Sequence, residues 1–216
     1  MSASLSELIE STLHDRGLDF SRKEGGHFVV TLPPGENKLE TTALLTVGNH
    51  GVRFEAFVCR KPDENFEGVY KYLLRRNRRL YGVAYTLDKI GDIYLVGRLS
   101  EQSVTPEELD AVLGQILEAA DYDFNVLLGL GFLTSIKREW AWRVSRGESL
   151  RNLEPFRHLI ENDGAGTESP DISGSDAPDE DAQQVRNTSD TRDPVHRNRV
   201  TLVTLWVWKR KRRWPR

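Results

Sequence analysis

A single cysteine, Cys59, stands in a chain of 216 residues, so no disulfide can form within it. The fold must rest on its apolar core, and a lone thiol fits a reducing compartment. No apolar stretch reaches the roughly 20 residues that a membrane-spanning helix needs. The opening Met1-Ser-Ala-Ser-Leu-Ser-Glu-Leu-Ile-Glu10 has neither a basic segment nor a long apolar run. A secretory leader is therefore not expected, and a cytoplasmic protein is.

Reactive constellations are missing too. His14, His27, His50, His158 and His196 show no metal-ligand spacing. Glycine-rich phosphate loops are absent, and Gly129-Leu-Gly131 reads as a helix stop. Asp121-Tyr-Asp123-Phe-Asn125 begins like a calcium loop, but Val126 and Phe132 stand where such a loop needs glycine and glutamate. Those carboxylates read instead as a polar helix junction. Cys59 falls in a strand-like stretch, where a thiol is a small apolar group rather than a nucleophile. Asn187-Thr188-Ser189 matches a glycosylation sequon, which means little without a leader. The expectation is a protein that is not an enzyme and takes no cofactor or metal.

What is present is charge, unevenly placed. Net charge is −3, from 33 acidic and 30 basic residues. Residues 161–216 hold 10 of each, which leaves 23 acidic and 20 basic residues for a mildly acidic body. From Glu161 to Pro194 the composition turns to Gly, Ser, Asp, Pro, Gln and Thr, too polar to offset the entropy of ordering. The chain closes on Trp206-Val-Trp-Lys-Arg-Lys-Arg-Arg213-Trp. Two units follow: a folded domain over 1–160, and over 161–216 a disordered acidic linker with a basic, Trp-rich terminus.

Periodicity supplies the elements of the domain. Leu5, Leu8, Ile9 and Leu13 make one helical stripe, stopped at Gly17. His27–Leu32, Lys38–Val47 and Val52–Arg60 alternate as half-buried strands, the last two joined by the turn Gly48-Asn-His-Gly51. Lys61-Pro-Asp63 breaks the sheet, and Asp63 or Asn65 can cap a helix over Asn65–Arg79. A hairpin follows, Gly82–Leu87 and Ile93–Leu99. Thr105-Pro-Glu-Glu108 is a capping box with proline at the first helical position. Beyond it, Leu109, Val112, Leu113, Ile116, Leu117 and Ala120 line one face, a second segment runs over Asp121–Leu130, and a further helix covers Ser135–Arg146 with Ile136, Trp140 and Val144 inward. Leu153 and Phe156 mark a last ordered turn. The predicted class is α+β: after an N-terminal helix, an antiparallel sheet of about five strands in the order β-β-β-α-β-β, helices mainly on one face, and C-terminal helices.

Two blocks carry a family resemblance. One is Arg60-Lys-Pro-Asp-Glu-Asn65 leading into Tyr72-Leu-Leu-Arg-Arg-Asn77 and Leu80-Tyr-Gly-Val-Ala84. The other is Arg138-Glu-Trp-Ala-Trp-Arg143 followed by Gly147-Glu-Ser-Leu-Arg-Asn152. Together they resemble the YbjN-domain proteins of actinobacteria over roughly residues 5–158. The resemblance implies a fold like that of the type III secretion chaperones, which bind other proteins and often dimerise, and a role as a sensory-transduction regulator. It brings no catalytic residues.

Two surfaces stand out. Trp142, off the Ile136–Trp140–Val144 stripe, forms with Arg138 and Arg143 an aromatic–cation surface suited to a protein partner. Arg75, Arg76, Arg78 and Arg79 at one helix end could contact an anion, but a terminus paired with Asp88 or Asp92 is the favoured reading. Asn77, amid them, reads as closing the helix end. The functional expectation is a protein-binding or regulatory module of chaperone-like fold, forming a homodimer. Nucleic-acid or anionic-surface binding through Arg75–Arg79 and the basic terminus is the alternative, disfavoured by the acidic body.

Overall fold

The computed structural model describes residues 2–161. The linker and basic terminus expected over 161–216, with the sequon and His196, lie outside the described residues apart from Glu161. Helix α1 spans Ser2–Asp15. Strands β1 (Asp19–Lys23), β2 (His27–Leu32), β3 (Thr41–Gly48) and β4 (Gly51–Cys59) follow as consecutive antiparallel hairpins. Helix α2 (Phe66–Asn77) crosses to β5 (Val83–Leu87) and β6 (Ile93–Ser100). The sheet has six strands in the order β1-β2-β3-β4-β6-β5, antiparallel throughout.

The expected sheet of about five strands gains β1. Its sequence, Asp-Phe-Ser-Arg-Lys, is charged and almost wholly exposed. It is an edge strand, and charge on an edge strand deters pairing with other chains. The same charge hides the alternation by which strands are recognised.

Alternation explains the other strands. Phe28, Val30, Ala43, Leu45, Phe54, Ala56, Ile93 and Leu95 are fully buried on one face. Helices α1, α2 and α3 (Pro106–Gly131) cover that face, with Ile9, Leu13, Val69, Leu109 and Ile116 in the same apolar cluster. On the opposite face the side chains are half-buried or exposed, as in β2 and β6.

Local chemistry sets the helix ends. Asn65 caps α2 from a left-handed conformation (φ 48°), its side chain accepting from Gly68 N–H at 3.3 Å. At α3, Thr105 Oγ1 accepts from Glu108 N–H at 3.2 Å and Pro106 opens the helix. Thr105→Ala removes that acceptor and is expected to cost about 1 kcal/mol. A urea midpoint unchanged from wild type would contradict this. The two helical segments expected over 106–130 form one helix of 26 residues. Helix α4 (Leu133–Arg146) follows after Phe132 and stops at Gly147, whose φ of 65° suits glycine. Leu153 and Phe156 are buried, and α5 (Arg157–Glu161) ends the described chain.

Candidate protein-interaction surface

Helix α4 has one side in the core and one open. Ile136 is buried and Trp140 packs half-buried against the core, with the Arg157 guanidinium 5.6 Å from its ring centre. Val144, expected inward, is 57% exposed. Its place in the interior is taken by Arg143, which is 3% exposed. Arg143 Nε donates to Glu139 Oε1 at 2.8 Å, and Nη1 donates to the Ser149 carbonyl at 2.8 Å. The guanidinium thus clamps the chain leaving the helix. Arg143 is therefore removed from the surface where the sequence placed it. Its charge is met by a carboxylate one turn earlier and by a carbonyl just past the helix end, which lets a cation take the inward position expected of valine.

The outer side of α4 keeps the rest of that surface. Trp142 is 45% exposed. Arg146, one turn on, lies with its guanidinium 5.3 Å from the Trp142 ring centre. Arg138 stands one turn before, 3.5 Å from Ser135 Oγ. The stripe Arg138–Trp142–Arg146 follows the i, i+4 spacing of one helix face. That spacing is the sequence signal that places Arg146, rather than Arg143, on this face.

The arginines at the end of α2 are divided. Arg75, Arg78 and Arg79 are exposed. Arg76 turns inward, Nε 2.9 Å from the carboxylate of Asp123. Asp88 and Asp92 are engaged elsewhere: Asp88 accepts from the Ile90 and Asp92 N–H groups within the hairpin turn, and Asp92 from Lys61 N–H. Asn77 does not close its helix. Its amide accepts from Tyr85 N–H at 2.7 Å and donates to Tyr85 C=O at 3.3 Å, on the edge strand β5.

Asp121 and Asp123, expected at a helix junction, lie inside α3 and do two different things. Asp121 accepts from the Glu36, Asn37 and Lys38 N–H groups, pinning the β2–β3 loop beside a shallow groove that Leu117, Glu118 and Tyr122 share. Asp123 is fully buried and accepts from Tyr72 Oη at 2.5 Å and Tyr85 Oη at 2.7 Å as well as from Arg76. Burial, with the carboxylate beside them, pushes both phenols above the usual tyrosine range.

A second buried charge sits under the loop. Lys38 is 5% exposed, its Nζ donating to the Phe57 carbonyl at 2.7 Å and standing 5.8 Å from the Phe124 ring centre. Burial brings its ammonium down from 10.5 to about 8. Cys59, fully buried, has its thiol pushed up from 9.0 to about 12 by the same cause. A thiol held protonated and out of solvent is a poor nucleophile. Among the described residues no group of His, Cys, Asp and Glu could hold a metal ion, and no helix is long and apolar enough to cross a membrane.

The model of the YbjN family, described as "Putative bacterial sensory transduction regulator", matches residues 5–129. An uncharacterized protein of Mycobacterium leprae is 57% identical over 164 residues, covering 74% of this chain and 89% of that protein. Among solved structures, the ExsC-ExsE complex is similar with 20% identity, a TM-score of 0.44, and coverage of 59% of this chain and 96% of that one. The Yersinia pestis type III secretion chaperone SycH, in complex with a fragment of another protein, is similar with 20% identity, a TM-score of 0.42, and coverage of 54% and 96%.

Proposed function

This chain belongs to the YbjN family, and we propose that it acts as a non-enzymatic protein-binding module in the cytoplasm, as a homodimer whose partner is engaged through α4. The observation that carries this reading is Trp142, held half-exposed between Arg138 and Arg146 on a helix that Arg143 fixes from inside. Tryptophan and arginine are enriched among the residues that dominate the energetics of protein interfaces, each burying a large flat surface. A rigid helix presents them without further ordering.

The chemistry of the other residues fits a binder. Its buried thiol is protonated, and its most buried carboxylate is occupied by two phenols and a guanidinium. The arginine group of α2 supports a phosphate contact poorly, since Arg76 is turned to Asp123.

The test compares the intact chain with its Trp142→Ala variant, each purified by affinity from native cells. A partner retained by wild type should bind the variant about 30-fold more weakly, the loss of about 2 kcal/mol typical of a central anchor. Sedimentation of both proteins reads the homodimer separately. A strictly monomeric chain that retains no partner would overturn the proposal, as would a partner held equally by the variant.

A further inference from the structure

The sheet face opposite the helices carries a row of basic side chains of which only Arg53 has a counter-ion within the described residues. The strand registers put Lys23 opposite His27, His27 opposite Thr46, Thr46 opposite Arg53, and Arg53 opposite Arg98. These five positions lie side by side across five strands, on the face away from the core. At about 4.8 Å per strand the row is about 19 Å long. Arg53 and Arg98 are directly cross-strand, an arrangement of like charges that destabilises a sheet.

Only part of that charge is compensated. Arg53 Nη2 donates to Glu55 Oε1 at 2.8 Å. Among the described residues, Lys23 and Arg98 make no ion pair; Glu24 lies in the turn just beyond Lys23. Beside the row, Val29, Leu44 and Val96 are half-buried on the same face, with Glu55 standing between Leu44 and Val96. A cross-strand arginine pair that costs stability, in a row where Lys23 and Arg98 have no ion pair, favours an anionic, extended occupant.

The chain itself contains one. Residues 163–181 hold seven carboxylates and no lysine or arginine. Their densest part is Asp176-Ala-Pro-Asp-Glu-Asp181, with four carboxylates in six residues. Six extended residues span about 20 Å, the length of the cationic row. Fourteen residues separate Glu161 from Asp176, enough extended chain for about 45 Å, which exceeds the distance across a domain of this size. Tethering supplies an effective concentration in the millimolar range, so a weak electrostatic contact suffices.

We propose that the acidic segment around Asp176–Asp181 docks in cis on the Lys23–His27–Arg53–Arg98 row and covers the open sheet face. The contact is electrostatic and reversible. It is independent of the Trp142 surface, so either can fail alone.

The test uses the full chain. Cys59 is buried and protonated, so a nitroxide reagent labels the thiol introduced by Ser175→Cys selectively. In ¹⁵N-labelled protein at low salt, the amide signals of Thr46, Arg53 and Arg98 should lose more than half their intensity. They should recover in 0.5 M NaCl, where the screening length falls to about 4 Å, and in the Arg53→Ser, Arg98→Ser double variant. Absence of broadening on this face at low salt overturns the proposal; pairing of the segment with Lys209–Arg213 would give that result. Broadening that survives the arginine replacements also overturns it. So does broadening in a mixture of nitroxide-labelled and ¹⁵N-labelled chains, which would assign the contact to a second copy.

Discussion

Asp123→Ala is expected to destabilise the domain by about 3 kcal/mol, because it strands a partly buried guanidinium and a phenol at once. For a domain of this size that corresponds to a fall in Tm of about 6–12 °C. Tyr85 suffers least, since its hydroxyl also donates to the Ala119 carbonyl at 2.9 Å. Tyr72 and Arg76 lose the acceptor on which they converge. Asp123→Asn keeps an acceptor oxygen and loses the charge, so it should recover part of the deficit. Combining Asp123→Ala with Arg76→Met separates the two contributions. If the carboxylate and guanidinium act as a pair, the double variant is less destabilised than the sum of the single ones. Urea midpoints decide the matter, and a cost below about 1 kcal/mol for Asp123→Ala would show that the network is dispensable.

The second large effect is a dependence on pH. In the fold Lys38 titrates near 8, whereas in the unfolded chain it holds its proton to 10.5. Between those values the unfolded state binds more protons, so stability rises with pH. The full rise is about 3 kcal/mol. Cys59 acts in the opposite sense. Its folded thiol keeps its proton to about 12, while the unfolded thiol ionises from 9.0, so stability is lost as pH climbs above 9. The two slopes cancel above pH 9, and the net gain is concentrated between pH 8 and 9. Urea midpoints at pH 7, 8, 9 and 10 should show this shape. In Cys59→Ala the rise should continue to pH 10. In Lys38→Met it should vanish, and the decline above pH 9 should stand alone. A wild-type profile that matches Lys38→Met from pH 7 to 9 would show that the ammonium is not desolvated as described.

These two sites were the least legible part of the chain. Strands β2, β3 and β4 could be read because their alternation records a sheet with one covered face, and Phe28, Leu45 and Phe54 had nowhere else to go. Helix α3 could be read from Thr105 and Pro106, whose roles are local. Lys38, Asp121 and Asp123 are polar residues whose partners lie far away in sequence. The loop that Asp121 holds is more than 80 residues distant, and Tyr72 and Asp123 are 51 apart. No spacing rule connects such residues, because the contact exists only after the sheet and helices are packed. Strand β1 escaped for another reason: an exposed edge needs no apolar alternation. Helix α4 was read one residue out of place, at Val144 and Arg143, because an arginine with a carboxylate four residues earlier can be buried and a valine at the margin need not be.

The hydrogen bonds from Asn77 to Tyr85 have a consequence for how large this sheet can grow. An edge strand invites addition through its outward N–H and C=O groups, and on β5 the middle pair is already taken by a side-chain amide that mimics a neighbouring strand. A seventh strand would have to displace the Asn77 amide to gain those two bonds. At the far edge β1 repels by charge what β5 refuses by occupancy. The sheet is thereby closed to polymerisation at both ends, by one amide at one side and a few ions at the other, which leaves its faces rather than its edges as the surfaces on which partners can be received.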